Sequence, residues 1–252
     1  MLGQLEPHLP PGWVRSASPI VDRLYSIIAG SAGPGGRARR YTLVYGDAVP
    51  LARTTDGAEA WSQFASDLSL WVAILAPARV FVHAGVVAWR GRAIVLPGRA
   101  LAGKSTLVAA LVRAGATYYS DEWAVLDARG RVHPYPRPLS IRATRPGVPD
   151  ALVPVESIGG RAGRQPLPVG LVVMTRFRPG AKWRPKPLSR GEGALALIEH
   201  SVQTHRDPVR VLNAFRQVVA NALILEGHRG QAEEVAPALL AQIDALGPAR
   251  RA

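Results

Sequence analysis

The sequence contains no cysteine, and this absence excludes several kinds of chemistry. A chain without thiols forms no disulfide, holds no metal through thiolates and has no cysteine nucleophile. Long apolar runs are also missing, because no segment approaches the ~20 consecutive apolar residues of a membrane span. Residues 1–13 lack the apolar core of a signal peptide. We therefore expect a soluble, cytoplasmic protein without a membrane span.

Acidic residues and lysine are scarce. The chain has 18 Asp and Glu against 31 Lys and Arg, which gives a formal net charge of +13. A surplus of this sign suits an anionic partner such as a nucleotide, a nucleic acid or an acidic peptide. However, the arginines are scattered and aromatic residues make up only 6% of the chain, so no motif combines basic and aromatic residues for stacking bases. Nucleic-acid binding is therefore the weakest of these interpretations.

One short segment, residues 98–106, fits the phosphate-binding pattern G-x-x-x-x-G-K-[ST]. In this pattern glycines let backbone N–H groups face the phosphates, the lysine meets the outer phosphates, and the hydroxyl that follows can bind Mg²⁺. Lysine occurs at only three positions of the chain, which makes its presence at 104 informative. The alternative is an ordinary glycine-containing turn between a strand and a helix. The residues predicted to bind a nucleotide are Gly98, Arg99, Ala100, Leu101, Ala102, Gly103, Lys104, Ser105 and Thr106.

The segments around this loop predict its structural setting. Residues 80–89 and 92–96 are rich in β-forming residues, and Arg90-Gly91 between them indicates a hairpin whose second strand leads into the loop. A helix is expected over residues 103–113 and a strand over residues 117–119. A hairpin at this place is not part of a simple βαβ unit.

The rest of the chain predicts an α/β protein with two domains. Residues 1–79 indicate a small β lobe, with a loop at 30–40, a strand at 41–45 and a helix that is capped by Asp56 and ends before Pro77. Residues 80–252 indicate a nucleotide-binding domain. We expect a surface loop at 145–168, a buried strand at 169–175 and three helices over residues 190–200, 208–225 and 231–246.

Phosphoryl transfer needs a carboxylate that holds a metal ion or accepts a proton. Asp121 follows Lys104 by 17 residues, at the end of the next predicted strand, so the returning chain would present it to the loop. It is the first candidate and Glu122 the second, although such a pair can also simply begin a turn. His83 lies in the strand before the loop, where a lone histidine is often a core residue. The candidate clamps for anionic groups are Arg137, Arg142, Arg176, Arg178 and Lys182.

Three segments in this order resemble a known family. They are HAGVV at 83–87, IVLPGRALAGKS at 94–105 and YSDE at 119–122. Together they resemble the catalytic domain of HPr kinase/phosphorylase, and still more the broader set of HPr-kinase-like bacterial proteins that includes peptide-tailoring serine kinases. The close resemblance covers residues 80–142, about a quarter of the chain. It implies the mixed-sheet, phosphate-loop core that this family shares with phosphoenolpyruvate carboxykinases, followed here by a helical carboxy-terminal region.

The resemblance also implies roles for individual residues. Lys104 would bind the outer phosphates, Asp121 would act as the base toward a hydroxyl, and His83 would lie at the active site. The implied metal ligands are Ser105, Asp121 and Glu122. The implied reaction is Mg²⁺-dependent transfer of a phosphoryl group from ATP, or another nucleoside triphosphate, to a Ser or Thr of a peptide or small protein.

A non-catalytic nucleotide sensor of the same fold is the alternative. HPr kinases assemble as hexamers, which leaves a homo-oligomer open for this chain. The sequence also departs from the family at Glu122, where the family has a second aspartate, and at Leu101, where it commonly has glycine. The downstream signature L-E-I-R-G-x-G is only faintly echoed at residues 155–160. The resemblance therefore concerns the nucleotide-handling core and not HPr as the acceptor.

Overall fold

The structure is a computed structural model that describes residues 5–30, 41–99, 102–141 and 151–247. The chain divides into two compact units, Met1–Leu75 and Ala76–Ala252. Within the described residues, no helix combines the length and the apolar character needed to cross a membrane.

Among its described residues, the first unit contains a short 3-10 helix (Glu6–His8), a small antiparallel sheet and one α-helix. The strands are β1 (Tyr25–Ala29), β2 (Thr42–Gly46) and β3 (Val49–Thr54), and the α-helix is α1 (Gly57–Leu75). The Asp56 carboxylate accepts a hydrogen bond from the Ala58 N–H at 2.8 Å, as the predicted cap requires. Val44, Ala60 and Phe64 form the core between helix and sheet. The predicted loop at 30–40 lies, from residue 31 onward, outside the described residues.

The second unit is a mixed α/β structure around a large sheet. Its described elements are β4 (Val80–Trp89), β5 (Arg92–Pro97), α2 (Lys104–Arg113), β6 (Thr117–Ser120), β7 (Trp123–Leu126), β8 (Arg131–His133), β9 (Leu139–Ile141), β10 (Ala151–Val153), β11 (Leu167–Phe177), β12 (Lys186–Pro187), α3 (Arg190–Glu199), α4 (Pro208–Asn221), β13 (Leu223–Arg229) and α5 (Ala232–Ala245). The strand order is β12-β13-β11-β5-β4-β7-β8, and β6 also pairs with β4. Strand β11 is parallel to both β5 and β13, whereas the pairs made by β4 are antiparallel. The expectation of an α/β fold is therefore confirmed.

Helices cover both faces of this sheet. Successive side chains of a strand point to opposite faces, and along β5 Ile94 and Leu96 enter one apolar core while Ala93 and Val95 enter the other. The first core is completed by α2 and α5, and the second by α3 and α4. The parallel strands in the middle are thus buried on both sides, as such strands usually are.

The hairpin of β4 and β5 forms as predicted from Arg90-Gly91. Arg90 has φ +49° and Gly91 has φ +76°, the pair of left-handed residues that a tight two-residue hairpin turn requires. The predicted helix after the loop is α2, and Gly115, with φ +102°, follows its end. The setting that the sequence predicted for residues 98–106 is therefore present.

Two expectations about the second half of the chain are wrong. The helix expected over 208–225 ends at Asn221, and the apolar residues that follow form β13, paired with β11 along its whole length. A short apolar run fits a buried strand as well as a helix, and the parallel pairing decides between them. The expected surface loop at 145–168 contains β10 and a short 3-10 helix with buried Val155, while its first residues, up to 150, lie outside the described part.

Gly85 on β4 sets how closely α2 approaches the sheet, since a Cβ at this position would lie 2.6 Å from the Val108 side chain. We predict that Gly85→Ala lowers the free energy of unfolding by about 1–3 kcal/mol through overpacking, measured by urea denaturation. Adding Val108→Ala should make the Gly85→Ala change less costly. Gly191→Ala is the control, because nothing lies within 4 Å of a Cβ there. Equal losses in both glycine variants would contradict the close packing.

Candidate functional site

The carboxyl ends of three parallel strands, β5, β11 and β13, meet at one edge of the sheet. Val172 of β11 lies opposite Val95 of β5 on one side and Ile224 of β13 on the other. From this level β5 ends first, at Pro97, and β11 and β13 continue past it to Phe177 and Arg229. In open α/β sheets, ligands bind at this edge. We call the segment that leaves β5 here, residues 98–103, the glycine loop.

The glycine loop is tied to β4 and leads directly into α2. The Gly98 N–H donates to the carbonyl of His83 at 3.2 Å, and Gly103 caps α2 with φ +78°. The first turn of a helix leaves its N–H groups without partners inside the helix, and the helix dipole places partial positive charge there. The loop therefore ends at a position suited to an anion. Ala100 and Leu101 of the predicted nucleotide-binding set lie outside the described residues.

Lys104 folds back over this loop. Its Nζ donates to the carbonyls of Gly98 at 2.9 Å and Arg99 at 2.8 Å. Burial lowers the pKa of Lys104 to about 8, while the negative charges of Asp121 and Glu122 act in the opposite direction. The structure thus brings the predicted lysine and the predicted acidic pair close enough for their charges to interact.

Both carboxylates of the acidic pair are held by neighbouring groups. Asp121 is 9% exposed, and its Oδ1 accepts from the Tyr118 hydroxyl at 3.1 Å while its Oδ2 accepts from the Ser140 N–H at 3.0 Å. Glu122 forms an ion pair with Arg137, with 2.8 Å between Oε2 and Nη1. The pair is therefore fixed in position, and Arg137, a candidate clamp, lies beside it.

Tyr118 is a residue that the sequence analysis did not single out. Burial, and then the negative charge of Asp121, raises the pKa of its hydroxyl above the usual value. The hydroxyl therefore stays protonated, and its single hydrogen is shared between Asp121 Oδ1 at 3.1 Å and the Arg137 carbonyl at 2.8 Å. This contact helps to fix the position of the Asp121 side chain.

His83 lies on β4 next to the loop, and its backbone joins three elements. Its N–H donates to the His200 carbonyl at 2.8 Å, and its carbonyl receives the Gly98 N–H. Burial, followed by the nearby Lys104 and His200, lowers the pKa of the His83 ring to about 4. The ring is therefore neutral at pH 7. His200 is half-buried, and its own pKa is lowered, chiefly by burial, with Lys104 among the causes.

Arg229 is the most informative residue that sequence reasoning missed. It ends β13, is only 3% exposed, and donates from Nη2 to the Gly103 carbonyl at 2.9 Å. The sequence offers only a weak signal for it, an arginine four residues beyond a short apolar run at 223–225. The helix predicted over residues 208–225 gives Arg229 no place at the carboxyl edge of the sheet.

A groove of about 700 Å³ opens beside the glycine loop. One wall is formed by residues 97–99 with Ala102, and the other by residues 174–176 of β11 with parts of β12, β13 and α3. Arg99 and Glu199 form an ion pair across it at 3.1 Å. Arg176, a candidate clamp from the sequence, lines this groove.

A smaller pocket of about 410 Å³ lies where β11 and β13 end. Within the described residues, its lining has four basic or titratable side chains and no carboxylate; the four are Arg178, Lys182, Arg184 and His228. Arg178 and Lys182, two of the candidate clamps, therefore share one cavity. Arg142, also a candidate, lies outside the described residues.

Histidine and carboxylate side chains do not form a metal centre on their own, because the described part of the chain has no group of three or more that could hold an ion. The predicted ligands Ser105, Asp121 and Glu122 supply one hydroxyl and two carboxylates. All are oxygen donors, the type that Mg²⁺ prefers, and phosphate oxygens of a nucleotide commonly complete such a shell. The donor set therefore fits magnesium bound together with a nucleotide.

Comparison of the chain with protein-family models found no match, and comparison with curated proteins found none either. The likeness to HPr-kinase-like proteins therefore depends on the three sequence segments, and functional conclusions depend on the geometry of this chain.

His83 gives stability a defined pH dependence. Between its pKa of about 4 in the folded protein and its ordinary value of 6.5, the unfolded chain binds more protons than the folded one. The free energy of unfolding should therefore fall as the pH decreases through this window. We predict that His83→Gln flattens the decline, measured by urea unfolding at several pH values. His205→Gln, at an exposed position, should leave the decline unchanged, and an unaltered decline in His83→Gln would contradict the assignment.

Proposed function

We propose that this protein is an HPr-kinase-like phosphotransferase that moves the terminal phosphoryl group of ATP, or another nucleoside triphosphate, to a hydroxyl group. The observation that carries the proposal is the position of the acidic pair beside the glycine loop. The Ala84 N–H of β4 donates to the Glu122 carbonyl at 3.1 Å, and Ala84 lies opposite Pro97, the residue before the loop whose carbonyls Lys104 binds. A cation for the phosphates and a carboxylate for the acceptor are the two groups that such a transfer needs at one place.

The nucleotide would bind with its phosphates on the glycine loop and the first turn of α2. Lys104 would exchange its two carbonyl partners for phosphate oxygens, a change that its flexible side chain permits. Ser105, Asp121 and Glu122 would hold Mg²⁺, which supplies positive charge to the phosphate oxygens. Backbone N–H groups, a lysine and a magnesium ion would then surround the triphosphate.

Asp121 would accept the proton of the attacking hydroxyl. Each carboxylate oxygen has two lone pairs, so the hydrogen bonds from Tyr118 and Ser140 leave Asp121 able to accept another. The acceptor oxygen forms a bond to the terminal phosphorus as the bond to the leaving oxygen of the nucleoside diphosphate breaks, and the proton passes to the carboxylate. Lys104 stabilises the charge that develops on the transferring oxygens.

The groove beside the loop supports a peptide or small protein as the acceptor. It is lined in part by Gly98 and Arg99 of the glycine loop, and its lining combines apolar side chains such as Met174 and Leu195 with charged ones such as Arg176. The basic pocket at Arg178 and Lys182 adds a place for anionic groups at the same edge of the sheet. A serine or threonine in an extended segment would be able to reach the loop from the groove.

A nucleotide-binding sensor without transfer activity is the second candidate. One observation favours it, namely that both carboxylates of the acidic pair already have partners, Asp121 with Tyr118 and Ser140 and Glu122 with Arg137. In a sensor these contacts would be structural, and nucleotide binding would need only the loop and Lys104.

Asp121→Asn separates the two candidates. The variant should fold, because the amide oxygen can accept from Ser140 while the Tyr118 hydroxyl donates to the Arg137 carbonyl and receives the amide N–H. With γ-labelled ATP, Mg²⁺ and the products of neighbouring genes as acceptors, we predict that the wild type transfers label and that Asp121→Asn is slower by about 10²–10⁴-fold. Measured without Mg²⁺, its Kd for ATP should stay within about threefold of the wild-type value, because the loop and Lys104 still bind the phosphates.

Glu156→Gln is the matched control for the loss of one carboxylate, since Glu156 is exposed and distant in sequence from the acidic pair. It should transfer label at the wild-type rate. Unchanged turnover in Asp121→Asn would overturn the assigned base. ATP binding by the wild type without transfer to any acceptor would favour the sensor.

Lys104 makes nucleotide affinity depend on pH. Because its pKa is about 8, the ammonium is charged below this value and loses its charge as the pH rises above it. We predict that the Kd for ATP increases above pH 8, by up to about tenfold for each pH unit, measured by titration calorimetry at constant ionic strength. Lys104→Ala should bind weakly at all pH values and lack this slope. The same slope in Lys104→Ala would show that another group titrates.

A further inference from the structure

Arg229 is a buried cation directly beside the glycine loop. Its guanidinium donates from Nη2 to the Gly103 carbonyl at 2.9 Å and from Nη1 to the Gly230 carbonyl at 3.1 Å. The Nε–H is buried without an acceptor in the described part of the chain. The side chain thus connects the end of β13 to the last residue of the loop, 126 positions away in sequence.

The positive charge of Arg229 lacks a direct counter-ion. Among the described residues, no carboxylate lies within salt-bridge distance of it, while burial lowers its pKa and Glu233 opposes this effect from a longer range. A buried charge without a paired partner is costly. An anion bound on the neighbouring loop would reduce that cost.

The guanidinium also fixes the orientation of one peptide group. In a trans peptide the C=O and the following N–H point in opposite directions. By holding the Gly103 carbonyl, Arg229 therefore sets the direction of the Lys104 N–H, which lies at the amino end of α2. The Gly103 carbonyl also accepts from the Leu107 N–H at 3.2 Å, so the same oxygen joins Arg229 to the first helical hydrogen bond.

Gly103 leaves room for this contact. An ideal Cβ at position 103 would lie 2.4 Å from Nη2 of Arg229, and the backbone there has φ +78°. A side chain would thus collide with the guanidinium as well as strain the backbone. The second glycine of the phosphate-binding pattern and the arginine at the end of β13 form one structural unit.

We propose that Arg229 is a positioning residue of the nucleotide site, which orients the Gly103–Lys104 peptide toward the phosphates and supplies buried positive charge behind the loop. This inference rests on the part of the proposed function that assigns nucleotide phosphates to the loop. It is independent of whether a phosphoryl group is transferred.

The test compares three variants by titration calorimetry with MgATP, MgADP and AMP. Arg229→Met removes the charge and both hydrogen bonds, Arg229→Lys keeps the charge but not the two-pronged geometry, and Arg216→Met removes an arginine from an exposed position on α4. We expect Arg229→Met to weaken MgATP binding at least tenfold, equivalent to about 1.4 kcal/mol. Arg229→Lys should fall between it and the wild type, and Arg216→Met should stay within twofold of the wild type.

A purely structural role predicts a different pattern. It would lower the melting temperature and weaken the three nucleotides equally, whereas a role at the phosphates makes the loss largest for MgATP and smallest for AMP. If Arg229→Met does not fold, the same comparison of affinity losses for MgATP, MgADP and AMP is made with Arg229→Lys. Wild-type affinity in a folded Arg229 variant, or an equal loss for all three nucleotides, would overturn the inference.

The failure of this inference is distinguishable from that of the proposed transfer. Nucleotide binding that depends on Arg229, without transfer of label, would support the inference and contradict the transfer activity. Transfer of label that does not change in the Arg229 variants would support the transfer activity and contradict the inference. A wild-type protein that binds none of the three nucleotides would overturn both.

Discussion

The parallel pairing of β11 with both β5 and β13 is the constraint on which the candidate site depends. It brings to one edge three segments that are far apart in sequence, namely the glycine loop, the basic residues after β11 and Arg229. Parallel strands need long connections, and the two apolar cores formed by the helices on each face keep this arrangement buried. The site is therefore a consequence of how the middle of the sheet is assembled.

At this edge of the sheet, burial as well as neighbouring charges determines the pKa values of the basic side chains. Lys104 is positively charged near two carboxylates, yet burial is the larger influence on its pKa, which falls to about 8. His83, close to Lys104, is kept neutral by burial and by that positive charge. A bound anion stabilises the charged form of a basic side chain whose pKa burial has lowered, and the side chain in turn stabilises the bound anion. The electrostatics of the region thus favour an anionic ligand more specifically than the overall charge of +13 does.

Features encoded by short-range signals could be predicted from the sequence. The turn at Arg90-Gly91, the cap at Asp56 and the extent of α2 each depend on a few neighbouring residues, and each is present. The proximity of Lys104 and Asp121 could also be inferred, because one helix and one strand connect them. Contacts that depend on how the whole sheet is assembled could not be predicted from the sequence. The assignment of β13 required knowledge of its pairing with β11, and without that strand Arg229 had no predicted position near the loop.

Lys104 and Arg229 both bind carbonyls of the glycine loop, yet one is a lysine and the other an arginine in a chain with only three lysines. Arg229 binds two carbonyls at once, that of Gly230 just after β13 and that of Gly103 in the loop, and the planar guanidinium has donors arranged for that task. Lys104 also holds two carbonyls, but its proposed role requires it to release them and meet phosphate oxygens. A single ammonium on a flexible chain can move between partners, whereas a guanidinium loses its advantage when its geometry is broken. Arginine is far more common than lysine in this chain. The lysine at 104 stands where the proposed role requires a cation that changes partners, and the arginine at 229 stands where the cation must stay fixed.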